Sequence, residues 1–274
     1  MKRQGRNFII VSLIAAVIAI ALGVSFIVVK EKLKGATGKA VKEFPFTSQN
    51  SLKEWEVKVL TKNSTGYTLA EHDGKNCVKA ESKDSASALY SKQRLFWESD
   101  PFVSWDWKAE KFPERTKKET LKKKEEFDFV AQVYVIFYAR FFLNMQAIQY
   151  VWTENIPEGE ASSSPYTKKV KLMVLQSGPS EGWVHEERDI REDYKKLFGA
   201  ELNKNVAAIS FMTDSDSTGT TASAYFTNIK VGYLDKDPEK REAEAKPGWL
   251  SRFKDNWLIK KIMEFKRKEQ PSDT

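Results

Sequence analysis

With 274 residues, a formal charge of +7 and charges of both signs along its length, the chain is long enough for a sizeable core. The basic balance alone is no nucleic-acid footprint, because lysines beside a hydrophobic segment fit an anionic membrane surface equally well. The lone cysteine, Cys77, excludes an intrachain disulfide and a cysteine zinc cluster, and its apolar flanks read as those of a buried structural thiol.

Residues 1–7 form a basic head. Phe8 to Val29 carries no charge and, at ~1.5 Å per helical residue, spans roughly the hydrocarbon thickness of a bilayer. The run exceeds the ~7–15 residues of a typical signal-peptide core, so 8–29 reads as an uncleaved single-pass signal anchor. Cleavage near the small residues Gly35 to Ala40 is the alternative. Lysines on both sides leave the positive-inside count undecided. A short basic head before a bulky domain favours a cytoplasmic N-terminus. That places the main domain on the periplasmic or extracellular side of an inner or cytoplasmic membrane.

Residues 30–43 read as a linker and 44–234 as the main domain. Short runs rich in Val, Tyr, Phe, Trp and Thr, bounded by turn residues, predict strands. They fall near Glu54–Leu60, Tyr67–Glu71, Cys77–Glu81, Ala86–Ser91 and Val103–Lys108, with Asp73-Gly74 marking a turn. Glu110 to Glu126 is charge-dense and reads as a solvated loop or short helix. Strands resume at Phe129–Phe137, Ala147–Trp152, Lys169–Gln176 and Trp183–Asp189. Asp189 caps a short helix closed by Gly199, and Ile190, Tyr194, Leu197 and Phe198 share its apolar face. Val206–Thr213 and Ala222–Val231 complete the set. The expected fold is mainly β: an antiparallel jelly-roll-like sandwich with one packed helix. A charged linker follows at 235–248, then a basic amphipathic helix at 249–268 and a tail at 269–274. The helix suits docking on protein or lying on lipid.

The acidic, hydroxyl-rich loop Asp214 to Gly219 is the leading candidate site. Alternate oxygen-bearing side chains at Asp214, Asp216 and Thr218 suit a polar ligand, and Asp214 with Asp216 suits a hard cation such as calcium. The competing reading is that these groups bond the loop's own backbone. An EF-hand is rejected, since its twelfth position would be Tyr225 and the flanks are strands. Trp105 and Trp107 share one strand face, as do Tyr150 and Trp152; core packing is the expectation and a sugar-stacking platform the alternative. Gly178-Pro-Ser-Glu-Gly182 matches a hydrolase elbow, but a strand follows it and no His lies beyond His185. Glu187 and Asp189 resemble a carboxylate pair only in spacing. No residue is assigned to catalysis.

Taken in order, Ser85-Ala-Ser87, Trp105-x-Trp107, Asp128 to Phe137, Tyr150-Val-Trp152, Trp183, Glu187-Arg-Asp189, Asp193-Tyr194, Phe198-Gly199 and Thr213 to Gly219 form a recognisable set. It resembles the bacterial domain-of-unknown-function family numbered three-zero-four-seven, over roughly Phe44 to Tyr233. The resemblance implies an exported β-sandwich similar in outline to galactose-binding-like modules, with no activity or catalytic residues attached. The family pattern has an acidic pair and an Arg where this chain has Phe127-Asp128 and Gln132, and an Asn near Ser217. The expected function is noncatalytic binding of carbohydrate or another envelope component at a loop rim. A scaffold recruiting an envelope protein, and an enzyme using Asp214, Asp216, Glu187 or His185 on an envelope polymer, are the alternatives. Nucleic acid is not an expected partner.

Overall fold

The computed structural model describes residues 42–139 and 144–234. The expected anchor at 8–29, its cleavage, the linker at 235–248, the helix at 249–268 and the tail lie outside the described residues. Among those described, no helix is long and apolar enough to cross a membrane.

Thirteen strands and one α-helix occur among the described residues. In chain order they are β1 (Lys42–Phe44), β2 (Glu56–Val59), β3 (Gly66–His72), β4 (Lys75–Lys83), β5 (Ser87–Leu95), β6 (Pro101–Lys111) and β7 (Ala131–Phe137). There follow β8 (Gln146–Thr153), β9 (Ala161–Ser163), β10 (Val170–Ser177), β11 (Val184–Asp189), α1 (Ile190–Phe198), β12 (Val206–Met212) and β13 (Thr221–Tyr233). One sheet runs β11-β6-β13-β4-β3, with β1 also on β13; the other runs β2-β5-β12-β7-β8-β10-β9. All eleven expected strands form. Two short ones, β1 and β9, were not foreseen, and β1 begins inside the expected linker.

The expectation of a wholly antiparallel sandwich needs correction. The chain leaves β8 and returns through β9 to lay β10 parallel to β8, so the seven-stranded sheet is mixed.

Local chemistry explains the joins. Asp73 (φ 49°) and Gly74 (φ 71°) form a two-residue hairpin turn in which both central residues need positive φ. Asp189 accepts from the backbone N–H groups of Arg191 and Glu192, and Gly199 at φ 67° closes α1. The same helix buries Asp193 under a two-pronged Arg188 contact (2.8 and 2.6 Å), with the Tyr150 hydroxyl donating at 2.7 Å. The conspicuous Glu-Arg-Asp stretch is therefore structural.

The core between the sheets is aromatic. Trp105 and Trp107 of β6 meet Tyr150 and Trp152 of β8 across the interface, at ring separations of 5.4 and 5.5 Å, while Phe211 stacks on Phe226 at 4.7 Å. Spacing by two puts each pair on one strand face, and burial of that face is what the spacing serves.

The segment 110–126 is only in part the solvated loop or short helix expected: its lysines are exposed and Lys124–Glu126 forms a 3-10 helix, yet the Arg115, Glu119 and Leu121 side chains are buried. Leu121, Phe127 and Phe129 pack on Val151, Leu172 and Val174, covering the outer face of β8 and β10. Arg115, 5 % exposed, donates to Glu119, 1 % exposed, at 3.2 Å, and to the backbone oxygens of Glu126 and Asp128. Glu119 in turn accepts the N–H groups of Glu154 and Asn155 at 3.0 and 2.8 Å. The buried charges of the segment, Arg115, Glu119 and Glu126, pair with one another, while Lys117, Lys118, Lys122, Lys123, Lys124 and Glu125 are exposed.

Candidate functional site

A pocket lies at a loop rim where β5, β7 and α1 hand over to their connections. It encloses about 330 Å³ and is lined by Trp97, Tyr138, Asn144, Asn203, Lys204 and Asn205, with Ala139. Its walls are fixed from behind. The Asn205 side-chain oxygen accepts from Trp97 N–H at 3.2 Å, and the Asn205 carbonyl accepts from Tyr138 N–H at 2.8 Å. Lys204 donates to Gln146 Oε1 at 2.6 Å, and burial, then Lys169, lowers its pKa. Tyr138 keeps 46 % of its surface exposed. Nothing in the sequence marked this pocket, because its three segments are short and far apart; Trp97, half-buried in the structure, and the Asn203-Lys-Asn205 triplet were the available signals.

A second site lies at the opposite end of β12. Phe129 N–H donates to Asp214 Oδ1 at 2.8 Å, and Asp128 accepts from the N–H groups of Ser217 and Thr218 at 3.1 and 2.7 Å. These bonds clamp the 213–220 loop onto the start of β7. Asp128, Asp214 and Asp216 consequently present oxygens that lie within 4.8 Å of one another. An adjoining cavity of about 40 Å³ is lined by Tyr134, Gln149, Tyr166, Asp214, Asp216 and Ser217, among others. That is room for water or an ion, not for a sugar ring. Burial, then Asp128 and Asp216, pushes the Asp214 carboxyl well above its ordinary range; burial, then Asp128, pushes Asp216 up to about 7.

The structure thus divides the sequence candidates. Asp214 and Asp216 converge, joined by Asp128, which sequence spacing could not supply. The Thr218 hydroxyl bonds Ser215 O at 3.3 Å and Thr220 Oγ1 at 2.9 Å, the local pairing that was the competing reading for this loop. The alternative of an aromatic platform is overturned too, since Trp105, Trp107, Tyr150 and Trp152 are each at most 1 % exposed. His185 bonds Asp106 at 2.6 Å on β11 of the other sheet, and Glu187 lies on the same strand. Neither lines the acidic cavity, so the enzyme assignment built on them fails. Ser180 donates to Gly182 O and no helix follows, which removes the hydrolase elbow.

The model of the family described as "Protein of unknown function (DUF3047)" matches residues 53–230. The chain belongs to this family. No curated protein matches it. Among solved structures, the family 11 carbohydrate-binding module of cellulosomal cellulase Lic26A-Cel5E of Clostridium thermocellum is similar at 10 % identity and TM-score 0.37, covering 74 % of this chain and 99 % of that one. The xyloglucanase domain of NopAA, a type three effector from Sinorhizobium fredii, is similar at 11 % identity and TM-score 0.39, covering 73 % and 100 %. The xylan-binding module CBM15 gives 8 % and 0.34, covering 72 % and 99 %. Function here rests on the site itself. Phe127 and Ser217 both line the acidic cavity.

Proposed function

We propose that the chain is a noncatalytic binding domain of the cell envelope, tethered through residues 8–29, that takes carbohydrate at the rim pocket. The observation that carries this reading is the pocket's pairing of size and lining. At about 330 Å³ it falls in the range of small-ligand sites, and it sets two aromatic rings beside three side-chain amides. Aromatic faces stack on the apolar face of a sugar ring, and each amide offers paired donors and acceptors to vicinal hydroxyls. Its described lining includes no carboxyl or imidazole, the groups that glycoside hydrolysis places on either side of a scissile bond.

The test is a glycan array and a cell-wall pull-down with the full-length chain, repeated with Trp97→Ala and Asn203→Ala. The expected result is retention of a saccharide by the wild type and at least tenfold weaker retention by each variant. No saccharide retained under several ionic conditions, or retention unchanged by both substitutions, overturns the reading.

A further inference from the structure

We infer that the rim pocket, on the reading that it takes carbohydrate, is selective for an acidic saccharide, whose anionic group it receives at the Lys204 ammonium. Lys204 stands between Asn203 and Asn205 on the connection into β12, and it is the one charged residue in the pocket's described lining. Its Nζ donates at 2.6 Å to Gln146 Oε1, a neutral oxygen that also accepts the Tyr194 hydroxyl at 2.9 Å. An ammonium has three N–H donors, and among the described residues this oxygen is the one acceptor that Lys204 uses. Gln146 thus fixes where the charge sits without cancelling it.

The neighbouring cations are treated differently. Arg191 donates to the carbonyl oxygen of Trp97, a lining residue, and is paired with Asp100; Lys195 of α1 is paired with Glu201. Lys204 has no carboxylate partner among the described residues. Burial, then the second cation Lys169, disfavours its charged form, and Lys169 itself donates at 3.3 Å to Oδ1 of Asn144, another lining residue.

An anion brought by the ligand answers both deficits. It supplies an acceptor for the remaining ammonium N–H groups and a counter-charge beside two like charges. On a saccharide that anion is the carboxylate of a uronic acid or a phosphate ester, and a lysine, as a point charge, receives either. A neutral saccharide seated in the pocket shields the ammonium further from water and gives it no counter-charge, so the lysine discriminates against it. The Trp97 and Tyr138 rings and the three amides serve the sugar ring and its hydroxyls in both cases; Lys204 supplies the difference.

The test probes matched pairs of saccharides with the full-length chain: oligogalacturonate and oligoglucuronate beside their carboxyl-methylated forms, and phosphorylated mannose oligosaccharides beside the dephosphorylated ones. We expect at least one acidic probe to be held about tenfold or more tighter than its neutral partner, the scale of one charge-assisted hydrogen bond, and the preference to weaken as salt rises. This comparison needs no variant. Lys204→Met should bring the acidic probe down to the level of its neutral partner, and Lys204→Arg should keep the preference, with thermal unfolding showing that both variants fold. Whether the carboxylate or the phosphate pair shows the difference names the anion. Neutral saccharides held as tightly as acidic ones, a preference indifferent to salt, or one that survives Lys204→Met would each overturn this inference and leave carbohydrate binding standing. No saccharide held at all overturns both.

Discussion

Replacing Glu119 by Ala separates two descriptions of the 110–126 segment. On a solvated loop, a surface substitution changes stability by within about 0.5 kcal/mol. In the structure, Glu119 is 1 % exposed and accepts the Arg115 guanidinium and two backbone N–H groups of the β8–β9 connection. Its removal takes the nearest carboxylate from a guanidinium that is itself 5 % exposed, leaving it the Glu126 and Asp128 backbone oxygens, and leaves both N–H groups without their acceptor. Breaking one side of a buried pair costs about 3–5 kcal/mol, and that is the expected loss. Urea denaturation of the wild type, Glu119→Ala, Arg115→Ala and the double variant measures it. The double variant should lose less than the sum of the singles, because the second truncation removes the charge stranded by the first. A Glu119→Ala chain within about 1 kcal/mol of the wild type, or strict additivity, refutes the packed description.

Other expectations follow from side chains already described. Burial opposes ionisation of Asp106, but hydrogen bonds from Lys75, His185 and Asn228 outweigh it and hold its pKa below 3.8. Its contribution is therefore complete above pH 3.8 and lost as pH falls through the folded value; acid-denaturation curves of Asp106→Asn should lack that part of the acid limb. Asp189→Ala should cost about 1 kcal/mol in thermal or urea unfolding, since it removes the acceptor for two helix N-terminal N–H groups. Cys77 is fully buried and its thiol is pushed up to about 11 by burial, then Asp73, so a thiol reagent should label it only after denaturation.

The sandwich was legible because its strands announce themselves locally. Trp105 with Trp107 and Tyr150 with Trp152 show the two-residue period of a buried face, and Asp73-Gly74 shows a turn that needs positive φ at both central positions. β1 and β9 span three residues each, too few for a period to appear. The parallel return of β10 depends on a path in space, which no local pattern carries. Charge density misled the reading of 110–126 because pairing between Arg115 and Glu119 looks, in sequence, like any solvated run. The acidic loop was found but only half understood. Asp214 and Asp216 were visible, whereas Asp128 joins them from 89 residues before Ser217. The Thr218 hydroxyl closes on Ser215 and Thr220 within its own turn, which the alternation of oxygen-bearing residues along the loop does not reveal.

β12 is hydrogen-bonded on both sides, to β5 and to β7. A strand so held cannot slide by one residue without turning its core face outward. It therefore acts as a fixed ruler, with the rim pocket at its start and the three carboxyls just past its end, on the order of 20 Å apart. A disturbance at one end cannot be transmitted as a shift of the strand. Rim-pocket binding should accordingly be the same in the wild type and in Asp216→Asn as long as the sandwich stays folded, since neither end can reset the other through the strand between them.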